Sequence, residues 1–247
     1  TLAETGGSLG ESIGSGGGRS QFIDRAAVVQ GTDAALDEQE TAQARERCEG
    51  TEPIHLPGYV VPIAVAFNLP GVDSLNLSPS TIADLFNQQI AHWDDEKIQA
   101  DNPDTPLPHL PVVPVNRSDE SGTTENFTQY LEAAAGGAWP HEEDGSWPIA
   151  PAEAGQGNSG VASAVRSSEG SVGYVEASFA EGMSIADVGV GEDFVELSPE
   201  SAGAIVEASP PREANFEHDH ALELDYNTQE PETYPCLLYT SDAADDS

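Results

Sequence analysis

Apolar and polar positions along this chain switch repeatedly between a strand period and a helix period. YVVPIAVAF, residues 59–67, is almost continuously apolar and rich in β-branched residues, which predicts a buried strand interrupted by Pro62. Ser78 and Pro79 then mark a helix start, and Ile82, Leu85 and Phe86 recur on one face. LPVVPV, residues 110–115, predicts a strand, after which Phe127, Tyr130, Leu131 and Ala134 return at helical spacing. GNSGVASAVRSSEG predicts a helix closing near Gly170, and SVGYV and SIADVGV predict strands. Ser198-Pro199-Glu200 caps a short helix, and ALELDY alternates like a strand. Nearer the start, QFIDRA (21–26) opens a helix after a glycine-rich turn, with a second helix expected from Ala35 to Arg47. Strands alternating with helices predict an α/β protein with mainly parallel sheets. The two ends differ. The first dozen residues hold no complete element, and PCLLYTSDAADDS breaks the pattern after Tyr234, where a core strand is expected.

Composition narrows the function classes. At 247 residues and 25.9 kDa the chain can hold one large domain or two small ones. Its mean hydropathy is −0.37, and no run of about 18 apolar residues is present to span a membrane. TLAETGGSLGESIGSGGG has no basic and apolar signal pattern, so the chain is either cytosolic or numbered from after a leader. Eight Lys and Arg stand against 44 Asp and Glu, a formal charge of −36. Such a chain does not neutralise nucleic-acid phosphates or seek an anionic membrane. The acids are dispersed, as on a solvated acidic surface suited to saline surroundings; a cation-binding surface is the alternative. Cys48 and Cys236 are too few for a disulfide scaffold, although an exported chain could form one bridge. His218 and His220 share strand-like spacing but lack further ligands nearby, and read as exposed polar residues.

The chemistry concentrates in VNRSDESGTTENF, residues 115–127, a strand, tight turn and helix. A helix N-terminus leaves about four backbone N–H groups unpaired and carries the positive end of the macrodipole. Ser121, Gly122 and Thr123 fall there and add two hydroxyls, the makings of an anion site. Arg117 contributes a forked cation suited to a tetrahedral oxyanion or carboxylate, and Asp119 can hold it in place. An ordinary capped helix with a surface Arg–Asp pair would look the same. IGSGGGRSQF, 13–22, reads either as a flexible linker or as backbone freed to approach a ligand around Ser15, with a helix N-terminus behind it. It is neither a Walker loop nor a dinucleotide fingerprint. In GTDAAL, Asp33 is either a helix cap or a ligand residue. A carboxylate only accepts hydrogen bonds, so in an anion site it favours a protonated oxyanion.

In this order, I-G-S-G-G-G-R-x-Q-F, G-T-D-A-A-L, P-I-A-V-A-F-N-L-P-G, I-A-D-L-F-N-x-x-I-x-x-W-D-D, R-S-D-E-S-G-T-T-E-N-F, G-x-x-G-V-A-S-A-V and G-Y-V-E-A resemble the phosphate-binding protein of the ABC-type phosphate importer. The resemblance covers residues 12 to 235 and is nearest to actinobacterial-looking members; R-S-D-E-S-G-T-T-E-N-F is its most specific string. It implies a type II periplasmic-binding-protein-like fold of two α/β lobes joined by hinge strands. Residues 1–63 and 176–235 would form the first lobe, incomplete here, and 64–175 the second. Ser15 would bind phosphate through hydroxyl and backbone, and Asp33 would accept its proton. Arg117, oriented by Asp119, would pair with the anion while Ser121, Gly122 and Thr123 donate from the second lobe. The implied protein is an extracytoplasmic monomer that delivers inorganic phosphate to an ABC permease, with no metal, cofactor or catalytic residue. Sulfate on the same lobes is the alternative ligand, and a phosphatase using Ser121 or Asp33 is the alternative class. The family's upstream loop and its apolar strand after Tyr234-Pro235 have no counterpart, so a fragment truncated at both ends is expected. Residues 236–247 would then be a non-native tail resembling translated adapter sequence, which would make Cys236 an artefact and leave Cys48 without its natural partner.

Overall fold

A computed structural model describes residues 14–212 and 219–244. Its elements, in order, are α1 (Gly14–Ile23), β1 (Val29–Thr32), α2 (Glu38–Arg47), β2 (Ile54–Asn68), β3 (Asn76–Leu77), α3 (Pro79–Phe86), α4 (Glu96–Asp101), β4 (Val113–Arg117), α5 (Gly122–Ala134), β5 (Glu153–Gly155), α6 (Gly157–Ser167), β6 (Ser171–Glu176), β7 (Ser184–Ile185), β8 (Asp187–Val190), β9 (Asp193–Val195), α7 (Pro199–Ala208) and β10 (Leu237–Ala244). The helix starts follow the cap chemistry of the sequence. Ser78, Ser121 and Ser198 each accept backbone N–H bonds as N-caps, and Asp37 and Glu40 form a reciprocal capping box on α2.

The larger sheet runs β1-β10-β2-β6-β4-β5, with β7 also on β2; β3, β8 and β9 form the smaller sheet. The fold is α/β with open sheets, as expected, but parallel pairing is confined to β4–β5, β4–β6 and β3–β8. The expectation of mainly parallel sheets therefore fails. The reason is β2, a 15-residue strand that continues through Pro62 and pairs antiparallel with β10 along one stretch and with β6 along the next. Pro62 does not break it, because the neighbouring Ile63 N–H carries the bond to the Cys236 carbonyl at 2.9 Å.

Three other expectations need correction. The final segment, expected to break the strand pattern, lies as β10 between β1 and β2, with Leu237 and Leu238 buried. ALELDY forms no strand beyond a single bridge from Leu222 to Pro211. Its partner segment contains Pro210 and Pro211, which have no N–H to extend a ladder, so the pairing stops after Arg212 N to Ala221 O and Glu223 N to Pro210 O, both 3.0 Å. Finally, the glycine-rich stretch is no turn: helix α1 begins at Gly14 and ends at Ile23, where QFIDRA was expected to begin one.

Side chains from β2, α3, α5, β6 and the C-terminal segment share the main apolar cluster, built around Phe67, Phe86, Trp93, Phe127, Tyr174 and Tyr234. A second cluster packs α6 against the sheet. The N-terminal cluster is small: Phe22, Leu36, Ala44 and Cys48. Cys48 and Cys236 are free, buried and in different clusters, so the structure contains no Cys48–Cys236 bridge.

Candidate functional site

The strand-to-helix passage from β4 to α5 sets the site. Four successive β4 residues, Pro114 to Arg117, are buried, and backbone pairing on both edges fixes the strand's direction. Arg117 thus ends a rigid strand, and its own N–H donates to the Tyr174 hydroxyl at 3.1 Å. The guanidinium makes a fork on Asp119: Nε donates to Asp119 Oδ1 at 2.9 Å and Nη2 to Asp119 Oδ2 at 2.5 Å. Nη1 donates to Thr123 Oγ1 at 3.3 Å. Burial opposes ionisation of Asp119, but the Arg117 fork and the Gly157 N–H, 3.0 Å away, outweigh it and hold the carboxyl below its usual range. Asp119 therefore stays anionic and keeps Arg117 aimed.

Ser121 caps α5, accepting from Thr123 N–H at 3.1 Å and Thr124 N–H at 3.4 Å. Its own N–H is fixed by the Gly145 carbonyl at 2.9 Å. Gly122 follows at the point of closest approach. A Cβ there would lie 2.6 Å from both the Asp33 Cβ and the Ser15 hydroxyl oxygen, so only glycine lets these segments meet. Gly14 has φ +70°, and a Cβ on it would fall 2.3 Å from the Glu120 carbonyl oxygen. The glycine-rich stretch is a close-packing surface rather than a linker.

Ser15 and Asp33 face this junction from α1 and the turn after β1. The Ser15 hydroxyl donates to Asp33 Oδ2 at 3.0 Å and accepts the Asp33 N–H at 3.1 Å. Asp33 does not cap α2; Asp37 does. Asn126 holds the Asp33 carbonyl at 2.7 Å and is itself held through its Oδ1 by the Tyr226 hydroxyl at 2.7 Å. Burial pushes the Asp33 carboxyl up, against the Ser15 hydroxyl and the Arg117 and Arg19 charges. Ser15, Asp33, Arg117, Asp119, Ser121, Gly122 and Thr123 are thus gathered from three separated stretches into one constellation. Asp33 also borders a cavity of about 330 Å³ lined by Glu125, Glu143, Arg212 and Glu223.

Sequence reasoning assigned no role to Arg19, Glu176 or Asn158. Arg19 is buried beside Glu40 and Glu125. Its signal was rarity, one of eight cations standing in a glycine-rich stretch. Asn158 and Glu176 bond reciprocally, Nδ2 to Oε1 at 2.5 Å and Glu176 N–H to Oδ1 at 3.1 Å, which pins the start of α6 beside Asp119. Burial and then repulsion from Asp33 raise the Glu176 carboxyl. No local pattern marks that pair. His220 is exposed, and His218 lies outside the described residues. Among the described residues no three His, Cys, Asp or Glu side chains are grouped to hold a metal, and no helix is long and apolar enough to cross a membrane.

Comparison with known proteins gives the chain's relatives. The phosphate-binding protein PstS 3 of Mycobacterium tuberculosis is 37% identical over 233 residues, covering 92% of this chain and 62% of the relative. PstS of Methanocaldococcus jannaschii is 35% identical over 181 residues, covering 69% of this chain and 46% of the relative. The chain therefore spans less than two thirds of the length of these relatives. Among solved structures, a periplasmic phosphate-binding protein (PfluDING) bound with phosphate superposes with a TM-score of 0.72 at 23% identity, over 94% of this chain and 72% of that one. A putative phosphate ABC transporter substrate-binding protein from Clostridium perfringens gives 0.65 at 17%, over 95% and 72%. At these identities the two structures speak to the fold. A family model described as "PBP superfamily domain" matches residues 9–241, nearly the whole chain, and the chain belongs to that superfamily.

Proposed function

We propose that this chain binds inorganic phosphate outside the cytoplasm and hands it to the membrane permease of an ABC-type importer. The observation that carries the reading is an arginine fork and a helix N-terminus converging on a half-buried carboxylate, Asp33. Arg117 and the α5 N-terminus supply charge and donors for the anion's oxygens, while the Asp33 carboxylate supplies an acceptor. A fully ionised anion such as sulfate would meet Asp33 with no proton to offer. Phosphate at neutral pH retains one. Nothing in this scheme breaks a bond, so the proposed role is that of a receptor rather than an enzyme, acting as a monomer.

Two lobes follow from the same reading, 64–175 and the combination of 1–63 with 176–235, with β2 as a hinge strand. In support, β2 pairs with β10 along one half and with β6 along the other, and the N-terminal residues have their own small cluster. The relatives, named as phosphate-binding proteins, also support a phosphate ligand. Isothermal titration of the purified chain with inorganic phosphate tests the proposal. Saturable binding of one phosphate per chain is expected; no saturable heat up to millimolar phosphate would reject it.

A further inference from the structure

Arg19 stands one helical turn after Ser15 on α1, and Glu125 stands three residues after Gly122 on α5. These spacings put Arg19 behind Ser15 and Glu125 behind Gly122. The two helices thus meet twice, at the ligand-facing Ser15–Gly122 contact and one turn deeper at an ion pair. The deeper contact is more than one pair. Arg19 Nε lies 2.9 Å from Glu40 on α2, Nη1 lies 3.2 Å from Glu125 on α5, and Nη2 lies 3.7 Å from Glu120 in the turn before α5. One guanidinium, 8% exposed, joins three carboxylates from three segments. Lysine could not reproduce this fork.

We infer that Arg19 is a positioning residue for the anion site: its fork ties α1 and α2 to α5 and thereby sets Ser15 and Asp33 against the α5 N-terminus. This rests on the phosphate reading for its ligand but not for its geometry. Without Arg19, Glu40, Glu120 and Glu125 face one another with no cation between them. Repulsion then pushes α2 away from α5, and α1, whose Phe22 packs with Leu36, Ala44 and Cys48 around α2, moves with it, so the Ser15–Gly122 contact opens. Glu125 is faced by Arg19 from α1, Glu40 from α2, Glu120 from the preceding turn and Glu143 from the segment after α5. Asp33, Glu223 and Arg212 line the adjoining cavity. Burial raises the Glu125 carboxyl to about 7 even with Arg19 beside it. Protonation at lower pH therefore relieves part of the repulsion in a chain lacking Arg19.

The test compares the full chain with Arg19→Gln, Arg19→Lys and Arg19→Gln/Glu125→Gln by phosphate titration at pH 6 and pH 8.5, and by hydrogen exchange without phosphate. Arg19→Gln should weaken phosphate binding by a factor of about 10 or more at pH 8.5 and by less at pH 6. The double variant should recover part of the loss, and Arg19→Lys should fall between parent and Arg19→Gln. Exchange in residues 14–23 should quicken, with α3 unchanged. If Arg19→Gln does not fold, Arg19→Lys and the double variant carry the comparison. A parent that binds no phosphate would overturn the functional reading alone, since the exchange comparison still decides the tie. Unchanged α1 exchange, or a loss independent of pH and of the Glu125 change, would overturn the inference.

Discussion

Truncating Arg117 to alanine removes the guanidinium that forks onto Asp119, and the structure sets the size of the effect. The guanidinium has five N–H donors. Asp119 and Thr123 take three of them, which leaves two for a bound anion. Charge-assisted hydrogen bonds contribute about 1.5–3 kcal/mol each, and loss of one partner of a desolvated charge pair costs about 2–5 kcal/mol. Phosphate affinity should therefore fall by a factor of roughly 30 to 5,000. The fold should survive, because β4 is held by backbone pairing to β5 and β6 on either side. Arg117→Lys should lose less than alanine but remain weaker than the parent, because a point charge cannot fill the fork on Asp119 and reach the anion as well. Isothermal titration gives the affinities, and circular dichroism with thermal unfolding confirms that the variants are folded. An alanine variant that binds phosphate within a factor of about three of the parent would refute the assigned role of Arg117.

Gly122→Ala should abolish phosphate binding and destabilise the chain by about 1–3 kcal/mol, because the new methyl group would fall 2.6 Å from Ser15 and Asp33; urea unfolding and titration read the two effects separately. Glu125 has a folded-state pKa of about 7, above its unfolded value of 4.5, so the folded state holds its proton longer and this group's contribution to stability falls as pH rises through that window. Glu125→Gln should accordingly gain on the parent between pH 4.5 and 7 and level off above, by at most about 3 kcal/mol; a urea-measured difference that does not change with pH would contradict the assignment. With a formal charge of −36, the protein should repel anions at low ionic strength. Stopped-flow association of phosphate should therefore quicken as salt is raised from very low levels, until the Debye length nears about 8 Å.

Much of the site was legible because it is written in local chemistry. Ser121 before Gly122 and Thr123 fixes where α5 starts, and Arg117 with Asp119 sits two residues apart at the end of a strand. Ser78-Pro79 gave α3 for the same reason. Local chemistry misled where tertiary packing overrode propensity. Three consecutive glycines argue against a helix, yet α1 forms through them because Gly14 lies against the Glu120 backbone and the helix carries Phe22 into a core. The strand–helix alternation predicted parallel pairing, but it could not show that one 15-residue strand would serve two antiparallel partners. The alternation in ALELDY was real, but its partner contained two prolines. Asn158–Glu176 and Arg19–Glu125 join residues 18 and 106 positions apart, separations that no local reading of one chain connects.

The central claim is that the Asp33 carboxylate, an acceptor set among donors, makes this a site for an oxyanion that still carries a proton. Equilibrium dialysis with labelled phosphate, competed by unlabelled phosphate or sulfate at neutral pH, measures it directly on the parent chain and on Asp33→Asn. Unlabelled phosphate should displace the label, whereas sulfate should fail to do so on the parent and compete measurably on Asp33→Asn, whose amide can donate. Sulfate displacing the label from the parent as readily as phosphate does would contradict the account.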